Sequence, residues 1–220
     1  MIGGITMKIA VFDLDGTLAD TLADLADAVN YGLRKMNCPE HTLEQYRYMV
    51  GNGAKKLCYR ALPEDRKSEE PELLDLFREY YSAHLLDNTC LYGGMRETLH
   101  TLAENGVKLA VATNKPEDAA RELVAELLPE VDFVRVMGGN SRRPVKPDTQ
   151  VIAEIFAALP DGPAEAYMIG DSNVDVQTGK NAGITTIGCA WGFRGRAELE
   201  AAGADFVAEE PADILRFILQ

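Results

Sequence analysis

At 220 residues, with 46% apolar and 26% charged positions, the chain is long enough to bury a substantial core and has the make-up of a globular protein. Its formal net charge of −13 leaves no basic footprint for nucleic acid, and no apolar run reaches the roughly 18 residues that a membrane span needs. The four cysteines, Cys38, Cys58, Cys90 and Cys189, show no metal-ligand spacing, so a zinc site is disfavoured and reduced thiols in a cytoplasmic protein are expected.

Residues 1–6 lack the basic-then-apolar layout of a secretory signal, and Met7 reads as an alternative start. An apolar strand is expected over 8–12, running directly into Asp13-Leu14-Asp15-Gly16-Thr17. Two carboxylates two residues apart at a strand end, with a Gly-Thr turn behind them, fit a nucleophile and a proton-handling group. An Asp pair before Gly is also ordinary turn chemistry, so the rest of the chain has to decide.

From residue 19 to residue 88 the pattern becomes helical. Leu22, Leu25, Ala26, Val29, Leu33 and Met36 keep the period of an amphipathic helix, with Asp20 as its N-cap. Thr42 and Gln45 have the spacing of a capping box for a second helix carrying Tyr46, Met49 and Val50. Gly51-Asn52-Gly53 follows, where two glycines allow the backbone to approach a small ligand closely, with Lys55 and Arg60 near enough to supply charge. Leu73, Leu74, Phe77, Tyr80 and Tyr81 mark a later helix. The segment reads as a helical lid over a site; a small helical domain packed elsewhere is the alternative.

Strands are expected over 107–112, ending in Thr113-Asn114; over 133–137, ending in Gly138-Gly139; over 166–169, ending in Gly170-Asp171; and over 185–188. Helices fall between them over 95–105, 116–128, 148–159 and 174–182. Apolar strands alternating with helices predict an α/β fold, a parallel sheet covered on both faces, with ligands beyond the carboxyl ends of the strands. The expected organisation is a core of residues 1–18 and 89–220 with a helical cap of residues 19–88.

The polar residues at those strand ends form a coherent chemistry. Asp13 is the expected nucleophile towards phosphorus and Asp15 the general acid and base. Thr113 and Asn114 would hydrogen-bond the phosphoryl oxygens, and Lys146 would bring positive charge to them. Asp171 would complete a Mg²⁺ site with Asp13 and the Asp15 backbone carbonyl, while Asp175 orients Lys146 or a metal-bound water. Four carboxylates so close repel one another, and a divalent cation together with Lys146 relieves that.

Asp13-Leu14-Asp15-Gly16-Thr17, Thr113-Asn114-Lys115, Lys146-Pro147 and Gly170-Asp171 through Asp175, in this order, resemble the haloacid dehalogenase-like superfamily of phosphohydrolases over nearly the whole chain. The resemblance implies a Rossmann-like core, Mg²⁺ dependence, an aspartyl-phosphate intermediate and an inserted helical cap. Gly51-Asn52-Gly53 with Leu57 and Arg60-Ala61-Leu62 is similar to the cap of the phosphoglycolate phosphatase branch, which implies hydrolysis of a small phosphorylated metabolite, with Gly51 and Gly53 at the substrate. Asn140, the run Arg142-Arg143-Pro144-Val145 and the run Trp191-Gly192-Phe193-Arg194 depart from that branch and leave the substrate open; Arg194 is either a surface residue or a contact to a substrate carboxylate. A sugar phosphomutase, a pyrophosphatase and a non-catalytic binding protein are the other readings of the same motifs. A dehalogenase is disfavoured, because displacing halide needs no metal. A monomer or homodimer is expected.

Overall fold

The computed structural model describes residues 7–220. The expectations about residues 1–6 therefore lie outside the described residues. The chain opens with strand β1 (Lys8–Phe12) and a two-residue strand β2 (Ala19–Asp20). Helices α1 (Leu22–Lys35), α2 (Leu43–Met49) and α3 (Ala54–Ala61) follow, then a 3-10 turn and α4 (Glu70–His84). Strand β3 (Cys90–Leu91) returns to pair antiparallel with β2. The remainder alternates: α5 (Met95–Glu104), β4 (Lys108–Pro116), α6 (Glu117–Leu127), β5 (Phe133–Gly139), α7 (Gln150–Phe156), β6 (Glu165–Gly170), α8 (Asn173–Ala182), β7 (Thr185–Cys189), α9 (Arg196–Ala202), β8 (Phe206–Ala208) and α10 (Asp213–Ile218).

Six strands form one parallel sheet in the order β5-β4-β1-β6-β7-β8. This confirms the α/β class and the parallel sheet. β1 is central, and its Ile9, Ala10, Val11 and Phe12 are fully buried. A strand covered on both faces reads as an unbroken apolar run. Alternate residues then serve opposite layers: Ala10 and Phe12 join the larger apolar cluster, and Ile9 and Val11 join the one containing Val151, Ile155 and Met168. The chain leaves β1 towards β4 on one side and later places β6 on the other. That reversal opens a crevice at the carboxyl end of β1, where open α/β sheets bind ligands.

The Thr42–Gln45 capping box forms as expected. Asp20 does not cap α1: Thr21 occupies the N-cap position, and Asp20 Oδ1 accepts the Leu22 N–H at 3.2 Å. The shift follows from Asp20 pairing as a strand residue with Cys90. Within α1, Asp24 is buried and accepts four donors from the returning chain, the N–H and side-chain amide of Asn88 and the N–H and hydroxyl of Thr89. β2 and β3 carry the chain between sheet and helices at residues 19–20 and 90–91, next to the expected boundaries.

β4 continues past Ala112, where the strand was expected to end, through Thr113, Asn114 and Lys115 to Pro116. α7 is shorter than the expected 148–159 helix. The C-terminal α9, β8 and α10 were not anticipated; β8 has three residues, too few for a periodic signal. No helix among the described residues is long and apolar enough to cross a membrane.

Candidate active site

Asp13 leaves β1 at the crevice, its own N–H bonded to Ile169 O at 2.8 Å. Its Oδ1 accepts the Leu14 N–H at 2.7 Å and pairs with Lys146 Nζ at 3.1 Å, while no hydrogen bond from the described residues reaches Oδ2. Two residues on, Gly16 turns the chain at φ +79°, and a Cβ there would stand 2.4 Å from Asp171 Oδ2. Only glycine lets the β1 turn and the β6 turn approach so closely.

Lys146 is buried between two carboxylates, with Asp175 Oδ1 at 2.6 Å on its far side. Asp175 Oδ2 accepts from the Ser172 hydroxyl at 2.6 Å and the Ser172 N–H at 3.2 Å, closing a capping box on α8. Asp171 Oδ2 accepts the Phe193 N–H at 2.7 Å. One oxygen from each of Asp13, Asp171 and Asp175 lies within 4.8 Å of the others. Asp15 points differently: its Oδ1 accepts from Lys115 Nζ at 2.9 Å and Thr21 Oγ1 at 2.7 Å.

The electrostatics are strained in a specific sense. Burial, opposed by Lys146 and reinforced by Asp175 and Asp15, pushes the Asp13 carboxyl up to about 7. Burial, Asp175 and Asp13 likewise hold Asp171 well above the usual carboxylate range. Four carboxylates (Asp13, Asp15, Asp171, Asp175) face two ammonium groups (Lys115, Lys146), and the two unmatched negative charges equal one divalent cation. Asp175 has both oxygens committed to protein donors, whereas Asp13 Oδ2 and Asp171 Oδ1 do not. An all-oxygen donor set with two such carboxylates fits Mg²⁺, which keeps most of its ligands as water and phosphate.

A cavity of about 30 Å³ opens from Asp13, Asp15 and Thr113 towards the helices. Val50, Gly51, Gly53 and Ala54 line it, together with Leu25, Leu57, Phe77 and Tyr81. Gly51 and Gly53 line this cavity, both at positive φ. Thr113 does too, with its Oγ1 accepting the Lys115 N–H at 3.2 Å, so its hydroxyl proton remains available to a ligand.

Asn114 behaves differently from the expectation. Its two amide protons go to Gly51 O at 3.0 Å and Lys146 O at 3.1 Å, and its Oδ1 accepts the Lys146 N–H at 2.8 Å. The amide is consumed in tying the glycine loop and Lys146 to β4, because buried backbone polar groups need partners, and no side-chain donor is left for a phosphoryl oxygen. The basic residues near the glycine loop are also committed. Arg60 binds Met49 O at 2.6 Å and Asn52 Oδ1 at 2.7 Å, Arg194 binds Val50 O at 3.0 Å, and exposed Lys55 faces Glu70 at 3.8 Å.

Lys115 and Tyr81 carried no role in the sequence reading. Lys115 is buried, and despite that burial the charge of Asp15 holds its pKa above the usual lysine value. Its ammonium lies over the Tyr81 ring, 4.7 Å from the centroid. The signal for Lys115 was its place in Thr113-Asn114-Lys115; for Tyr81, at a helical core spacing, there was none.

Comparison with known proteins gives a consistent picture. The sequence profile of the family described as haloacid dehalogenase-like hydrolase matches residues 10–189. A phosphoglycolate phosphatase of Vibrio vulnificus is 35% identical over 97% of this chain and 96% of its own length. One from Haemophilus influenzae is 31% identical over 96% and 98%. The crystal structure of a Lactobacillus delbrueckii subsp. bulgaricus protein, 30% identical, superposes with a TM-score of 0.90 over 97% of this chain and 99% of that one.

Proposed function

The chain belongs to the haloacid dehalogenase-like hydrolases, and we propose that it is a divalent-metal-dependent phosphatase of small phosphate monoesters, with 2-phosphoglycolate the foremost substrate. The observation that carries this is the convergence of Asp13, Asp171, Asp175 and Lys146 into one buried cluster, with Asp13 also facing the cavity that holds Asp15 and Thr113. Relatives named phosphoglycolate phosphatase align over almost the whole chain, which supports the substrate assignment.

Mg²⁺, held by the Asp13 and Asp171 carboxylates and the Asp15 backbone carbonyl, would supply the positive charge that lets a dianionic phosphate approach an anionic nucleophile. The Asp13 carboxylate attacks phosphorus through one oxygen, and its other oxygen is left to the metal. The bond from phosphorus to the leaving oxygen breaks, and the Asp15 carboxyl gives that oxygen its proton. The product of this half-reaction is an aspartyl-phosphate on Asp13. Asp15 then takes a proton from water, whose oxygen attacks phosphorus and frees Asp13. Thr113 donates its hydroxyl to a phosphoryl oxygen, and Lys146 offsets negative charge as the phosphoryl group transfers. Asp175 fixes Lys146 at 2.6 Å, and Thr21 and Lys115 fix Asp15.

Helices α1–α4 act in this reading as a cap that excludes water, with the β2–β3 ribbon as its hinge. The closed arrangement is supported by the Asn114–Gly51 and Arg194–Val50 hydrogen bonds between sheet and helices. The test is phosphate release from a panel containing 2-phosphoglycolate, pyrophosphate and hexose phosphates, with Mg²⁺ and with EDTA, for the wild type and Asp13→Asn. Metal-dependent release by the wild type, and a loss of at least about a thousandfold in Asp13→Asn, are expected. Turnover by Asp13→Asn at the normal rate would remove the nucleophile assignment. Interconversion of hexose phosphates without release would identify a mutase.

A further inference from the structure

We infer that the Lys115 ammonium and the Tyr81 hydroxyl form a subsite for a carboxylate on the substrate's leaving group. The inference rests on the phosphatase reading and specifies what that site selects.

Among the described residues, Lys115 is the one cationic residue in the cavity lining; the other charged lining residues, Asp13 and Asp15, are acids. An ammonium has three N–H donors. Asp15 takes one at 2.9 Å and the Tyr81 oxygen lies close to a second, which leaves the third. Tyr81 is 4% exposed, and its hydroxyl finds no acceptor for its proton among the described residues, its neighbour Lys115 being a donor only. A buried hydroxyl left alone is costly and calls for a partner the protein does not provide. Both unspent donors bound the same cavity, and the ammonium lies over the ring that carries the second.

An anion with two acceptor oxygens satisfies both donors at once. The phosphoryl group does not, since Asp13, Thr113 and Lys146 engage it at the sheet end. The position of Lys115 also fixes which part of the substrate it reads. Its ammonium is one hydrogen bond from the carboxylate of Asp15, the group that protonates the leaving oxygen. A substituent on the carbon bearing that oxygen is therefore the part within reach. Among the other lining residues, Leu25, Val50, Leu57 and Phe77 are apolar and offer no side-chain partner to a sugar's hydroxyls. Together these favour a phosphate ester of a short 2-hydroxy acid over a sugar phosphate. The positively charged candidates from the sequence, Arg60 and Arg194, are bonded to the carbonyls of Met49 and Val50 at the end of α2, and neither lines the cavity.

The experiment compares 2-phosphoglycolate with ethyl phosphate, which keeps the two-carbon skeleton and lacks the carboxylate, for the wild type, Tyr81→Phe and Lys115→Met. The wild type is expected to prefer 2-phosphoglycolate in kcat/KM by about a hundredfold or more. Tyr81→Phe, which removes one oxygen and keeps the packing, should lower kcat/KM for 2-phosphoglycolate about tenfold more than for ethyl phosphate, mainly through KM. Lys115→Met also disturbs Asp15, so it should slow both substrates, but the preference itself should collapse to within a few-fold. Equal hydrolysis of both substrates by the wild type, or an undiminished preference in both variants, would overturn the subsite and leave the phosphatase reading intact. Hydrolysis of neither substrate by the wild type would overturn the phosphatase reading and the subsite with it.

Discussion

Without a divalent cation, the protein should lose folding stability as the pH rises through the acid range, and Mg²⁺ should abolish that loss. Burial, opposed by Lys146 and reinforced by Asp175 and Asp15, lifts Asp13 from its ordinary 3.8 to about 7, and burial with Asp175 and Asp13 lifts Asp171 in the same direction. Between those limits the native state binds protons that the unfolded chain has already released, so stability falls with increasing pH. One such proton corresponds to about 1.4 kcal/mol per pH unit. Asp13 alone sustains the difference over roughly three pH units, on the order of 4 kcal/mol, and Asp171 acts with the same sign. Asp205, held low by its hydrogen bond from Thr186, works in the opposite sense, but only below about pH 4. The assay is urea unfolding in EDTA from about pH 5 to about pH 8, repeated at saturating Mg²⁺. The unfolding midpoint should fall with pH in EDTA, and the stabilisation by Mg²⁺ should grow with pH, because the metal needs the deprotonated carboxylates. A midpoint in EDTA that is flat or rising over this range, or a Mg²⁺ effect of equal size at both ends, would refute the charge argument for the cluster.

Three substitutions extend the reasoning. Asp24→Ala removes the acceptor of four donors where the chain returns from the helices; the two on buried Thr89 cannot reach water, so a loss of about 3–5 kcal/mol is expected in chemical denaturation, and a loss below about 1 kcal/mol would mean that this junction is dispensable. Asp175→Asn keeps a hydrogen bond to Lys146 but removes the charge that fixes it, and should cut kcat for phosphate release by about a hundredfold with little change in KM; an effect confined to KM would argue against a transition-state role for Lys146. Gly53→Leu places a Cβ 3.2 Å from Asn114 O at φ +85° and displaces the glycine loop; activity on 2-phosphoglycolate should fall far more than on an aryl phosphate, and equal losses on both would deny the loop a part in shaping the cavity.

The local sequence determined the strands and the residues that leave them. β1, β4, β6 and β7 are short apolar runs bounded by polar turns, and a strand buried on both faces needs little beyond such a run to be recognised. Since a parallel sheet aligns all its carboxyl ends, Asp13, Thr113 and Asp171 had to meet once those strands were found. Gly16 followed from the turn that the close approach of Asp171 demands. The tertiary structure decided how the polar side chains around that meeting point are spent. Asn114 looks like a substrate donor in sequence and Arg194 reads as either a surface residue or a substrate contact, but Gly51 O and Lys146 O claim Asn114 and Val50 O claims Arg194. Lys115 and Tyr81, 34 positions apart on a strand and a helix, are ordinary in sequence and become neighbours only when α4 packs over the end of β4. Periodicity specifies which face of an element is buried. Which buried donor is left without a partner depends on every group packed around it, and that is fixed only in the folded chain.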